Sequence, residues 1–202
     1  MPERNRKDNK GGIDTPTFYE GKPIEAVEQT VNAADYASAY YVVQSSLSLM
    51  HKREVKAGIC LSLAVITGSI IPIYHAKFFT FWGPFCGIFV LLGLAAVFFF
   101  VQPNDIKNWA KELYRSNALL ALPEKIIVYR DSIVADNGRE RFTEYWTDFY
   151  GCIETKDAFI MNGGMERNLL IIKKEGLSTE QKNKLSTHFA DTFASRFQKT
   201  GR

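Results

Sequence analysis

Two apolar runs dominate the pattern of this chain. Residues 57–74 read AGICLSLAVITGSIIPIY and residues 78–101 read FFTFWGPFCGIFVLLGLAAVFFFV, with only HAK between them and no Asp, Glu, Lys or Arg inside either. At 1.5 Å per residue the first run spans about 27 Å, the short end of what a bilayer core needs, and the second is longer. A helix on the surface of a soluble protein keeps a polar face, and neither run has one. The pattern predicts a hairpin of two membrane-spanning helices with a very short turn. Lys52, Arg53 and Lys56 precede it, Lys107, Lys111 and Arg115 follow it, and the turn offers His75 and Lys77. Basic residues gather on the cytoplasmic side of short flanks, so a multi-pass cell-membrane chain of two spans with both termini cytoplasmic is expected. Tyr74, Phe81 and Trp82 then fall at the outer interface, and Ala64 with Gly68 or Gly83 with Gly87 are candidates for close helix packing.

The flanking segments have other periods. Residues 1–16 are charged and contain Gly, a composition that predicts a disordered tail. Residues 17–56 predict one or two short strands, then a helix capped at Asn32, with Tyr36, Tyr40, Val43 and Leu47 on one stripe and an end near His51. After the second run, residues 103–118 predict a separate juxtamembrane amphipathic helix, started at Pro103 and Asn104, with Trp109 at headgroup level. Residues 122–200 predict a β-rich domain of five or six short strands: 125–130 (KIIVYR), 133–136, 139–146, 149–155, 158–161 and 168–174 (NLLIIKK). Asn137-Gly138 is a strong hairpin signal, and Asn162-Gly163-Gly164 reads as a loop. Ser178 and Gln181 form a capping box before a helix whose Leu185, Phe189, Phe193 and Phe197 repeat every four residues. That stripe is expected to close one open side of the sheet. The expected fold class is an α+β membrane protein, a transmembrane hairpin plus a small antiparallel, pleckstrin-homology-like (PH-like) cytoplasmic domain closed by a C-terminal helix.

Whole-chain averages conceal the two runs. The 202 residues are 46% hydrophobic with net charge +3, and mean hydropathy is -0.14. That balance is too weak to imply nucleic-acid binding and fits a protein facing an anionic leaflet. Cys60 and Cys86 lie in the runs and Cys152 far away, with no CxxC, so no disulfide framework is indicated. His51, His75 and His188 are scattered, and no GxSxG, GxGxxG, GxxxxGK or metal-ligand spacing occurs. No catalytic, cofactor-binding or metal-binding residue is therefore assigned, and no cofactor. Glu140 with Glu144, and Asp148 with Glu154, read as solvated edges; convergence of Asp148 and Glu154 with a base would instead favour an enzyme. Lys125, Arg130 and Arg139 with the basic side of the last helix (Lys182, Lys184, Arg196, Lys199) are a candidate phospholipid-facing patch.

The order of these features resembles the YcxB-like proteins of bacteria. The similar stretches are the hairpin at Asn137-Gly138, YWTDF at 145–149, Glu154-Thr155-Lys156, and residues 169–174 leading into Gly176-Leu177 and the last helix. Ala33-Ala34-Asp35-Tyr36 ahead of the basic flank is similar too, and Lys173 stands where the family pattern has Pro. The resemblance implies a two-span membrane protein with a cytoplasmic β-rich domain and transfers no catalytic residues. The expected function is that of a non-enzymatic, membrane-anchored binding or scaffold module. Expected partners are the lipid bilayer, with a protein partner or anionic lipid headgroups and a homo-oligomer as possibilities. A membrane-surface enzyme and a small oligomeric channel or transporter subunit remain the alternatives.

Overall fold

The structure, a computed structural model, describes residues 21–47, 52–74 and 82–200. The tail at 1–16, residues 17–20, the helix extension to position 51 and the turn at 75–77 lie outside the described residues, as do the side chains of Tyr74, Phe81 and Trp82. The described elements are β1 (Glu25–Gln29), α1 (Ala33–Ser46), α2 (Arg53–Tyr74), α3 (Trp82–Ala96), a π-helical turn (Val97–Val101) and α4 (Gln102–Ser116). After them come β2 (Glu124–Val128), β3 (Ser132–Asp136), β4 (Arg141–Tyr145), β5 (Gly151–Glu154), β6 (Ala158–Asn162), β7 (Leu169–Lys173), α5 (Thr179–Phe193) and β8 (Phe197–Lys199).

The apolar helices α2 and α3 pack against each other in antiparallel fashion. Ala57 and Cys60 near the start of α2 meet Ala95 and Phe98 near the end of α3. Toward the other end, a Cβ placed on Gly68 would stand 3.8 Å from the Ile88 side chain. Ala64 is buried with them, whereas Gly87 faces open space. The outer surface is apolar: Val65, Ile66, Phe89, Val90 and Phe100 are all more than half exposed. Among the described residues one helix, Phe85–Ser116, is long and apolar enough to cross a membrane. The first turn of α2 carries Arg53, Glu54 and Lys56.

The break expected at Pro103 does not occur. Helix α3 runs through the π turn into α4, so the predicted separate helix at 103–118 is the continuation of the apolar one. In an ordinary α turn the Pro103 ring would press on the carbonyl of Phe99. The wider π turn, in which the Gln102 N–H donates to the Val97 carbonyl, makes room for it. Trp109 consequently packs at a tilt against Tyr40 of α1, with ring centroids 5.2 Å apart, and Tyr114 packs likewise against Tyr36. The α1 stripe packs as its spacing implies except at Leu47, which is exposed. Asn32 caps α1 by accepting from the N–H groups of Ala34 and Asp35.

Among the described residues eight strands form two four-stranded sheets, in the orders β1-β2-β3-β4 and β7-β6-β5-β8. All pairings are antiparallel except β5 with β8, which is parallel. The core between them takes Ile126 and Ile133 from the first sheet, Phe159 and Ile172 from the second, and Phe189 and Phe193 from α5. The second sheet is covered on its other face too, where Ile153, Ile160 and Ile171 meet Tyr36, Ala39 and Val43. A sheet buried on both faces reads as an unbroken apolar run, which explains LLIIK in β7.

Asn137-Gly138 turns the β3–β4 hairpin as expected, within a four-residue loop that joins paired Asp136 and Arg141, so β4 starts two residues later than position 139. There Gly138 adopts φ 76° and the Asn137 side chain accepts from the N–H groups of Arg139 and Glu140. Phe197 leaves the helical stripe: α5 stops at Phe193, the chain reverses at Ala194, and Phe197 enters β8.

Candidate binding site

Glu154 ends β5 at the junction of three elements. Its Oε1 accepts from Lys174 Nζ at 2.8 Å. Its Oε2 accepts from Ser186 Oγ of α5 at 2.8 Å and lies 3.1 Å from Lys199 Nζ of β8. Lys199 also donates to Ser186 Oγ, and Lys174 to the Thr155 carbonyl. Burial alone would raise the Glu154 pKa, but the bonds from Lys174, Ser186 and Lys199 outweigh it and hold the carboxyl below the usual range. Glu154 is therefore an organised anion, not the solvated edge expected from its place in the sequence.

Beside it opens a cleft of about 630 Å³ between α1, the β5–β6 turn, β7 and the start of α5. Ala39, Val42, Ile160 and Ile171 contribute apolar surface to it, and Lys156, Lys173, Lys174 and Lys182 line it as well. Lys173 pairs with Asp35 and Glu175, each at 3.0 Å. Lys173 thus ties α1 to β7.

A second polar cluster binds the two sheets together. Gln29 of β1 donates to Glu124 Oε1 at 3.0 Å and to the Ile171 carbonyl, and its own Oε1 accepts from Lys173 N–H. Arg167, on the β6–β7 loop, pairs with Glu124 Oε2 at 2.6 Å and covers the Phe142 ring. Glu144, expected at a solvated edge, is 1% exposed. Its Oε1 accepts from the N–H groups of Glu166 and Arg167, while Oε2 has no partner. A Cβ on Gly164 would lie 2.8 Å from that oxygen, so glycine is needed for the loop to close over the acid.

Burial pushes the Glu144 carboxyl up, against the two backbone donors that lower it. The folded state therefore holds the proton more tightly than the unfolded chain, and stability is lost as pH rises through the shifted value. Glu144→Gln keeps an acceptor for both N–H groups and removes the ionised form. It should raise the thermal midpoint at about pH 8, with the advantage closing toward about pH 4, where an ordinary glutamate takes up its proton. Thermal unfolding of both proteins across that range measures the difference.

The remaining candidates are dispersed. Asp148 accepts from the Tyr145 N–H at the start of a short 3₁₀ turn, and shares no hydrogen-bond partner with Glu154 among the described residues. Lys125 lies at the Asp136 end of sheet one, near the loop that carries Arg139, whereas Arg130 follows β2 at the opposite end. Lys184 donates to the Ile24 carbonyl and Arg196 to the Phe149 carbonyl. The basic residues do not form one patch. His188 packs edge-on against Trp146, and burial lowers its pKa. Cys152 is fully buried and burial raises its thiol pKa, which leaves it unreactive. Sequence reading missed Glu154, Ser186 and Lys199 as a set because they lie on three elements. The only local signal was the period-two spacing of Phe197 and Lys199, hidden by the helical stripe that ends in Phe197.

No curated protein and no solved structure matches the chain. Residues 128–189, from the last residue of β2 into α5, match the family model described as YcxB-like protein, the family that the sequence features resemble.

Proposed function

We propose that this chain is a two-span membrane anchor carrying a cytoplasmic, PH-like binding module that acts by docking a partner rather than by catalysis. The observation that carries the reading is the continuity of α3 with α4. An apolar helix that enters the domain without a break, and there packs on α1, fixes the module's height and orientation above a membrane. Exposed apolar side chains over α2 and α3 support the lipid setting, since water would penalise so large a patch on a soluble monomer. Arg53 over Phe99 and Lys56 over Phe98 put cations at the end of the hairpin nearest the domain, in keeping with a cytoplasmic side. The PH-like part of the proposal rests on strand order, a meander of β1–β4 facing β5–β7 with α5 closing the end.

Cysteine labelling tests the topology. In intact cells a membrane-impermeant maleimide should modify His75→Cys, while Lys182→Cys should react only after permeabilisation. Labelling of His75→Cys only after permeabilisation would sink the two-span reading.

A further inference from the structure

Strand β8 is held as a replaceable element would be. It is three residues long, lies at the edge of its sheet and pairs in parallel with β5. Cys152 stands opposite Phe197, Ile153 opposite Gln198 and Glu154 opposite Lys199. Alternation along a strand puts Phe197 and Lys199 on one face. Phe197 packs on the core, and Lys199 meets Glu154 Oε2 and Ser186 Oγ. Gln198 points the other way and is exposed.

The connection into β8 is strained. Ala194, at φ 47° and ψ -114°, is the one non-glycine residue with positive φ among the described residues. Helices that end with a positive φ normally place glycine there, because a side chain at such an angle is strained. The strain is relieved if β8 lets go, so it opposes the bonds that dock the strand.

Part of the surface that meets β8 is also held by other elements. Without Lys199, Glu154 keeps Lys174 and Ser186 as partners and remains a fixed anion. Gly151 leaves space for a close backbone, since a Cβ there would come within 2.8 Å of the Arg196 carbonyl. The Glu154 carbonyl accepts from the Thr200 N–H at 2.8 Å and would accept equally from another extended chain.

We propose that the edge of β5 is a peptide-accepting edge, that β8 is its resident and exchangeable occupant, and that the partner is an extended segment with an aromatic residue followed two positions later by Lys or Arg. Main-chain pairing with β5 supplies affinity, and the Phe197 and Lys199 positions supply selectivity. The inference rests on the domain being a binding module, and the labelling test of topology stands apart from it.

A fluorescent peptide of residues 194–202 tests it, titrated by anisotropy against the full chain in detergent micelles. The chain with Phe197→Ala and Lys199→Ala together, whose own strand is weakened, should bind at least about tenfold more tightly than the unaltered chain. Adding Glu154→Gln to that variant should weaken binding by about tenfold. In the unaltered chain the Thr200 amide should exchange at least about tenfold faster than the Ile160 amide on interior β6. The exchange measurement decides the matter if the double variant does not fold. Equal affinity of the two chains, equal binding of a scrambled peptide, or a Thr200 amide as protected as Ile160 would overturn the proposal. So would a dimer that needs Phe197 and Lys199 in a chain that ignores the peptide, which would make a second copy the occupant.

Discussion

Phe189→Ala should cost the domain about 3–5 kcal/mol, which is a large share of the about 5–15 kcal/mol that holds a typical domain folded. Phe189 is completely buried. Its ring meets Trp146 edge-on at 5.5 Å and Phe159 at 5.2 Å, and lies 6.4 Å from Phe193. Truncation removes the transfer energy of the ring and opens a cavity between rigid neighbours that cannot collapse into it. It also releases α5 from both sheets, because Leu185, Phe189 and Phe193 are the buried apolar side chains by which the helix docks. The measurement is the guanidinium midpoint of the detergent-solubilised chain, followed by tryptophan fluorescence. Phe189→Leu, which keeps most of the volume, should recover more than half of the loss. A midpoint unchanged by Phe189→Ala would mean that α5 does not close the sandwich.

Arg167→Ala should cost about as much, roughly 3–5 kcal/mol, for an electrostatic reason. Arg167 and Glu124 are 14% and 7% exposed at the side chain and pair at 2.6 Å. Removing the guanidinium leaves a buried carboxylate with Gln29 Nε2 as its remaining side-chain donor. The double substitution Arg167→Met with Glu124→Met should be much less harmful than Arg167→Ala alone, because the desolvation cost of both charges disappears together. A double-mutant cycle read from the same unfolding midpoints isolates the coupling. If the double variant is as unstable as the single one, the loss belongs to the β6–β7 loop, whose Arg167 N–H also bonds Glu144.

Much of the scaffold is legible from local chemistry. The caps at Asn32 and Ser178 are found where their side chains reach free N–H groups. Strands β2–β7 lie near the alternating and continuous apolar runs that predict them. Two misreadings have a common cause. Glu144 and Glu154 look like surface acids because they fall in strand and turn segments, yet their partners, Arg167 N–H for one and Lys174, Ser186 and Lys199 for the other, come from distant segments. Pro103 reads as a helix break because a proline usually is one, and a single π turn is enough to absorb it.

Phe197 shows where local reasoning stops. Its four-residue spacing from Phe193 fits a helix, and helical propensity offers no reason to end α5 there. The helix ends because Phe197 and Lys199 gain more by pairing on β5 than a further turn would give them, and that gain exists only once β5, Ser186 and Lys174 are assembled around Glu154.

The sequence by itself determined the two apolar helices, the β-rich character of the second half and the capped last helix. Each follows from side chains within a few residues of one another, through hydrophobic period, turn chemistry and caps. Only the tertiary structure decided that β1 joins the first sheet from across the helices, that α3 continues into the domain, and that the C-terminal segment occupies the edge of β5. Those outcomes depend on burial, hydrogen bonds and ion pairs between residues far apart in the chain, such as Gln29 with Glu124, Tyr40 with Trp109 and Glu154 with Lys199, and no local pattern encodes such partners.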